Sequence, residues 1–105
     1  MKFTNLSKKH YLQYKNLIDS NITEEYFNYF IENVLNKNHN IIVIEDNYNN
    51  LLGTGTILIE KKLTNDGCNM GHIENILIDE KFRGNGYGEL LVNYLLEIFK
   101  ENKCY

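Results

Sequence analysis

The sequence contains no proline, no tryptophan, a single arginine and two cysteines. The cysteines, Cys68 and Cys104, form no C-x-x-C pair and have no histidine at zinc-site spacing, so we expect free thiols in a reducing compartment and no metal. No apolar run approaches the ~18 residues of a membrane-spanning helix, and no Lys/Arg run marks a nucleic-acid surface. With a net charge of −3, the chain is expected to bind neither membranes nor nucleic acid.

The first residues also lack the features of a secretory signal. Residues 1–11, MKFTNLSKKHY, contain no apolar core segment and no small-residue cleavage site. We therefore expect a cytoplasmic protein. At 105 residues, the chain has room for one domain, residues 1–105, around one hydrophobic core.

The hydrophobic pattern predicts seven elements in the order β-α-α-β-β-β-α. Apolar residues recur at helical spacing after Ser7 and after Thr23, which are suitable N-cap residues, and again after a glycine-rich segment. Between these helices lie apolar runs with short polar connections, which favour hairpin pairing. Gly53 and Gly55 predict a bulge or a close backbone approach. The fold class is therefore α+β with a mainly antiparallel sheet, and the predicted bounds are strand 2–5, helix 7–19, helix 24–36, strand 41–44, strand 52–62, strand 71–79 and helix 88–101.

The segment 83–91, RGNGYGELL, places three of the seven glycines within five residues at the start of the last helix. Glycine permits positive φ angles and close approach of a ligand, and the first N–H groups of a helix have no intrahelical acceptor. Such amides, together with the forked donors of Arg83, suit a pyrophosphate. The segment is neither a P-loop nor a dinucleotide fingerprint, because its spacing matches neither. On the spacing alone, a phosphate site and a plain glycine turn both stay open.

The glycine segment resembles a known cofactor signature. The pattern Arg83-x-x-Gly86-x-Gly88 between a strand and a helix is similar to the acetyl-CoA signature of the N-acetyltransferase superfamily. With GHIENILIDEKFRGNGYGELLVNYL at 71–95, CY at 104–105 and GTGTILIEKKL at 53–63, the chain resembles the glucosamine 6-phosphate N-acetyltransferase family. The resemblance is strong over residues 51–105 and faint over the N-terminal helices.

The resemblance implies the N-acetyltransferase (GNAT) fold and acetyl-CoA as cosubstrate. The backbone of Ile76, Leu77 and Ile78 is then expected to hydrogen-bond the pantetheine arm like an added strand. The position of Glu89 is often basic in the family, so Glu89 is expected to contribute only its N–H to pyrophosphate binding. Tyr87 is expected to pack at the helix start. The pyrophosphate is expected to be held by Arg83 and the amides of Gly84, Asn85, Gly86, Tyr87, Gly88 and Glu89.

The resemblance also implies an amino-sugar phosphate acceptor, whose 2-amino group attacks the thioester directly. Glu74 matches the glutamate beside the sugar, where it would accept from the amine or take its proton through water; the alternative is an ordinary exposed strand glutamate. Asn75 stands where the family usually has aspartate, and His72 is expected to be structural. The sugar-phosphate loop corresponds to Lys62, Leu63, Thr64 and Asn65, with Lys62 as partner of the 6-phosphate; the alternative is a solvated strand end.

In the family a further strand, helix and strand follow this point, and that helix carries a tyrosine that protonates the thiolate. We therefore expect a truncated form with little activity alone, in which Cys104 and Tyr105 begin a strand and Gly71–Ile78 is an uncovered edge. A homodimer is expected from the resemblance. The alternatives are an acetyltransferase for another amine, and a non-catalytic module that binds CoA or a partner chain.

Overall fold

The computed structural model of the protein describes residues 1–63 and 67–104. Its strands form an antiparallel sheet in the order β1-β2-β3-β4. This architecture confirms the predicted α+β class and element order. The strands are β1 (Lys2–Asn5), β2 (His39–Glu45), β3 (Leu51–Glu60) and β4 (Met70–Ile78); the helices are α1 (Tyr11–Leu17), α2 (Glu24–Asn33) and α3 (Tyr87–Glu101); 3₁₀ turns lie at Lys8–His10 and Glu80–Phe82.

Helices cover both faces of the sheet, and each face has its own apolar cluster. On one face α3 packs through Leu91 and Leu95 against strand residues that include Ile57. On the other face α1 and α2 pack over Val43, with Phe27 of α2 at the centre of the cluster. Strand side chains contribute to the two clusters in alternation, because successive residues of a strand point to opposite faces. No helix within the described ranges is long and apolar enough to cross a membrane.

Two helices end earlier than predicted. The Thr23 hydroxyl oxygen accepts from the Tyr26 N–H at 3.1 Å, which confirms Thr23 as the N-cap of α2. However, α2 ends at Asn33 rather than at residue 36, because the side chain of Asn36 accepts from the Asn38 and His39 amides and turns the chain into β2. The first helix ends at Leu17 rather than at residue 19, where Asp19 takes a left-handed φ of 50°.

The pairing of β3 with β4 contains a bulge, which lies opposite Gly55 and not within the glycine-containing strand as predicted. Thr54 pairs with Leu77 and Thr56 with Glu74, so that Gly55 alone opposes two residues of β4. The bulge is in β4, where Asn75 has a left-handed φ of 54°. A β-carbon at Gly55 would lie 2.6 Å from Cδ1 of Ile76, so the predicted close approach is confirmed.

Among the described residues, β4 pairs with β3 on one side and is followed by no second full strand on the other. Beyond its start, Asn69 forms an isolated parallel bridge with Cys104, and its N–H donates to the Lys103 oxygen at 3.0 Å. This parallel bridge agrees with the prediction that a strand begins at Cys104; Tyr105 lies outside the described residues. Cys68 and Cys104 are free thiols, as predicted.

Candidate functional site

The segment between β4 and α3 takes the form that its glycines predict. Gly84 and Gly86 have φ angles of 85° and 81°, a region that costs other L-residues roughly 1–2 kcal/mol. Gly86 is the N-cap of α3 and, having no side chain, caps none of the helix amides. By contrast, Gly88 lies inside the helix without a positive φ, and a β-carbon there would meet Cγ1 of Ile78 at an ordinary 3.8 Å. The left-handed backbone therefore favours glycine at residues 84 and 86, but not at residue 88.

Six consecutive backbone amides of this segment are available to a ligand. Within residues 1–63 and 67–104, the N–H groups from residue 84 to residue 89 donate to no protein acceptor, and the next amide, that of Leu90, donates to the Gly86 oxygen at 3.1 Å. Unpaired N–H groups at a helix N-terminus carry partial positive charge and bind anions. The structure therefore places the predicted pyrophosphate donors together: Gly84, Asn85, Gly86, Tyr87, Gly88 and Glu89.

The side chains of this loop mostly stabilise it. The Asn85 amide nitrogen donates to the Phe82 oxygen at 3.1 Å, and the Tyr87 ring packs edge-on against Phe82 with a centroid distance of 6.5 Å. Tyr87 is thus the packing residue that the sequence predicted. Glu89 is exposed in the first turn of α3, where its carboxylate can stay in solvent while its N–H faces the loop.

Arg83 links the loop to the free edge of β4. Its Nε donates to the backbone oxygen of Ile78 at 3.0 Å, so the Ile78 carbonyl points away from β3. The Asp79 N–H, in contrast, donates to the Leu52 oxygen of β3. Because backbone groups alternate in direction along an antiparallel strand, those of Leu77 also point at β3. Of the predicted pantetheine residues, Ile78 therefore has its backbone at the free edge of β4, where a pantetheine arm can pair with it. The backbone of Leu77 is directed at β3, so it is not free for such pairing.

The bulge at Asn75 shapes two neighbouring cavities on the α1 side of the sheet. Since it adds one residue to β4, it brings the consecutive residues Glu74 and Asn75 to the same cavity. That cavity, of about 210 Å³, is mostly apolar and also contains Thr56 and His39. A second, larger cavity of about 420 Å³ is lined by Tyr14, Ile18, Asn75, Ile76 and Leu77.

Glu74 is exposed at the first cavity, where a bound amine can reach its carboxylate. The walls of this cavity are residues that sequence reasoning missed, because they belong to α1, α2 and the segments that flank these helices, whose apolar side chains were expected only in the core. Their helical spacing is the signal that identifies the face, but it does not say that part of the face is uncovered. The missed residues are Leu6, Tyr14, Ile18, Ile22, Tyr26, Phe27 and Phe30.

The described part of the predicted sugar-phosphate loop, Lys62 and Leu63, follows the end of β3, which pairs with the start of β4. Lys62 Nζ is 3.3 Å from a carboxylate oxygen of Glu60, whose other oxygen lies 3.2 Å from His72 Nε2. The hydrogen bond from His72, followed by that from Lys62, lowers the pKa of Glu60 below its ordinary value. The contact of His72 with Glu60 at the sheet surface agrees with the structural role predicted for His72.

The structure does not bring Lys62 beside Glu74 within one chain. Glu60 pairs with Met70, four residues along β4 from Glu74, which is about 13 Å at strand rise. Leu63 is fully exposed, and the remaining predicted substrate residues, Thr64 and Asn65, lie outside the described residues. Glu74 and Asn75 therefore share a cavity, whereas Lys62 and Leu63 do not belong to it.

Comparison with known proteins supports the resemblance found in the sequence. The chain is 32% identical over 91 residues to glucosamine 6-phosphate N-acetyltransferase of Arabidopsis thaliana, covering 84% of this chain and 61% of that protein. It is 38% identical over 74 residues to a probable glucosamine 6-phosphate N-acetyltransferase 2 of Oryza sativa, covering 68% of this chain and 45% of the relative. The chain thus spans about half the length of these relatives.

Solved structures agree on the fold. The crystal structure of the Arabidopsis enzyme superposes with a TM-score of 0.90 at 28% identity, over 99% of this chain and 77% of that one. A Trypanosoma brucei acetyltransferase gives a TM-score of 0.88 at 21% identity, over 99% of this chain and 78% of its own, and supports the fold alone. The family model described as "Acetyltransferase (GNAT) family" matches residues 6–105. By its fold, its cofactor-loop pattern and this match, the chain belongs to the acetyltransferase (GNAT) family.

Proposed function

We propose that the protein binds acetyl-CoA and transfers its acetyl group to the 2-amino group of glucosamine 6-phosphate. One observation carries the first half of the proposal: the unpaired amides from Gly84 to Glu89 at the N-terminus of α3. The second half is supported by relatives of that name, with 32% and 38% identity. Acetyl-CoA supplies an activated acyl group as a thioester, and the residues of this chain bind and orient it.

The loop is adequate for a coenzyme diphosphate without a dedicated cation. A hydrogen bond to a charged acceptor contributes roughly 1.5–3 kcal/mol, and the helix N-terminus adds about 0.3–1 kcal/mol. Three such bonds and the helix end then give about 5–10 kcal/mol before the cost of ordering the ligand. Micromolar binding corresponds to a net free energy of about 8 kcal/mol, so the amides supply a large share of the interaction energy, and contacts to the rest of the coenzyme offset the cost of ordering it.

The proposed chemistry is direct attack of the sugar amine on the thioester carbonyl carbon. A C–N bond forms, the C–S bond breaks, and the sulfur leaves with the electron pair as a thiolate. Glu74, exposed at the cavity next to the bulge, accepts a hydrogen bond from the amine and takes its proton directly or through water. Asn75 lines the same cavity and offers an amide group to the sugar hydroxyls.

The test is thiol release from acetyl-CoA in the presence and absence of glucosamine 6-phosphate, together with calorimetry of acetyl-CoA binding. Sugar-dependent release, even at a low rate, supports the proposal. Binding without release favours the non-catalytic CoA-binding module, and absence of binding contradicts both. Gly86→Asp, which places a carboxylate among the amides, is expected to abolish binding, because like charges repel at this distance.

A second candidate, transfer to an amine without a phosphate, is favoured by the walls of the Glu74 cavity. Its described lining residues include no lysine or arginine, the side chains that form the strongest hydrogen bonds to a phosphate. Lys62→Ala distinguishes the two candidates. It should raise the KM for glucosamine 6-phosphate about 10- to 100-fold if Lys62 binds the phosphate, and leave the KM unchanged for another amine. Lys61→Ala, an exposed neighbour, is the matched control.

A further inference from the structure

Tyr14 of α1 lies where the two cavities beside the β4 bulge meet. It lines the cavity that contains Glu74 and also the cavity formed by Ile76 and Leu77, and Asn75 borders both. On the proposed function, the first cavity holds the acceptor amine and the second holds the thioester end of acetyl-CoA. A side chain at their junction is placed beside the bond that forms.

The neighbouring tyrosine on the same helix shows that the Tyr14 hydroxyl is not used to stabilise the fold. Both rings pack against Phe27, with centroid distances of 5.4 Å for Tyr11 and 5.9 Å for Tyr14. The Tyr11 hydroxyl donates to the Ile22 oxygen at 2.7 Å. Among the described residues, the Tyr14 hydroxyl has no hydrogen-bond partner. Burial raises the pKa of Tyr14, so the hydroxyl stays protonated, as a donor, at neutral pH.

We propose that the Tyr14 hydroxyl donates a hydrogen bond to the thioester carbonyl oxygen and stabilises the negative charge that develops there as the amine attacks. This role rests on the proposed function. The C–N bond forms and the C–S electron pair leaves with sulfur as described above; Tyr14 keeps its proton throughout. A tyrosine hydroxyl is a suitable donor for this purpose, because the packing of its ring against Phe27 holds the side chain in place and the cavity walls are mostly apolar.

The first measurement is a binding experiment that needs no turnover. The chain is labelled with ¹³C at the tyrosine Cζ and with ¹⁵N at the backbone, and CoA and acetyl-CoA are titrated separately, with Tyr14→Phe and Tyr11→Phe identifying the two signals. Both ligands should shift the Gly84 to Glu89 amides. Acetyl-CoA should shift the Tyr14 signal, CoA should shift it much less, and the Tyr11 signal should not move.

The second measurement separates catalysis from packing. Tyr14→Phe should lower kcat by about 10²- to 10³-fold with the KM for acetyl-CoA nearly unchanged, whereas the matched control Tyr11→Phe should retain kcat and lower the unfolding midpoint. The role of Tyr14 is overturned, and the proposed function left intact, if the loop amides respond to acetyl-CoA while the Tyr14 signal does not. Equal losses of kcat in Tyr14→Phe and Tyr11→Phe would have the same meaning. Loop amides that fail to respond to either ligand would overturn the proposed function and this inference together.

Discussion

Replacing Gly86 with alanine tests whether the backbone of the glycine loop binds the coenzyme. Gly86 is the N-cap of α3 with a φ of 81°, and this left-handed conformation costs an L-residue roughly 1–2 kcal/mol. If the loop keeps its shape, the unfolding midpoint falls by several degrees, since 1 kcal/mol corresponds to about 4–8 °C in a domain of this size. If the loop relaxes instead, the first-turn amides no longer converge.

The magnitude of the binding loss follows from the number of amides displaced. Loss of two hydrogen bonds to the diphosphate, at roughly 1.5–3 kcal/mol each, weakens binding by about 3–6 kcal/mol. That is a rise in Kd of about 10²- to 10⁴-fold. The adjacent Gly88→Ala is the matched control, because its methyl group would lie 3.8 Å from Ile78 at a residue without a positive φ; its Kd should change by no more than about threefold.

The assay is isothermal calorimetry with CoA and with acetyl-CoA, after thermal unfolding has shown that each variant is folded at the temperature used. CoA alone suffices for the comparison, because it carries the same diphosphate without the acetyl group. If Gly86→Ala keeps its unfolding midpoint, which indicates that the loop has relaxed, and still binds CoA as tightly as Gly88→Ala does, the amides are not the principal anchor, and the basis of the proposed function is refuted.

Three further outcomes follow from individual carboxylates. Glu74→Gln should lower kcat by about 10²- to 10⁴-fold if Glu74 is the base, with an unchanged unfolding midpoint; an unchanged rate would identify an ordinary exposed residue. Glu45 is fully buried and its Oε1 lies 3.0 Å from His10 Nε2, so Glu45→Ala should lower the free energy of unfolding in urea by about 1–3 kcal/mol, and Glu45→Gln by less. The pKa of Glu60 is lowered in the folded state by His72 and then Lys62. The ionised Glu60 carboxylate therefore stabilises the fold at pH values above the unfolded pKa, about 4.5. This contribution is lost as the pH falls through the pKa of Glu60 in the folded state. Thermal unfolding from pH 7 to 3 should show this loss, and Glu60→Gln should lack it.

Much of the fold was predictable because local chemistry and tertiary packing agree. The Thr23 cap and the glycine turn before α3 each act within a few residues, and each has the predicted structure. The ends of α1 and α2 were not predictable in the same way. At Asn36 a side chain competes with the helix for backbone amides, and the apolar periodicity of the helix carries no sign of that competition.

The candidate site likewise has one part that is local in sequence and one part that several elements form together. The proposed cofactor loop is one continuous segment, and its glycines specify the backbone conformation on which the proposed role depends. The acceptor side depends on α1, α2, β3 and β4 together. The sequence identified Glu74 and Asn75 through the resemblance, but neither the cavity that they share nor the contribution of Tyr14 could be derived from spacing.

The sequence by itself therefore determined the order of the elements, the resemblance to the family and the glycine turn before α3, since each of these is carried by short continuous segments of the chain. Only the tertiary structure decided which side chains meet. The bulge opposite Gly55 places Glu74 and Asn75 on one face, and the strand register keeps Lys62 at the far end of β4. Register and face are set by packing between elements distant in sequence, and a shift of one residue would exchange every side chain between the two faces of the sheet.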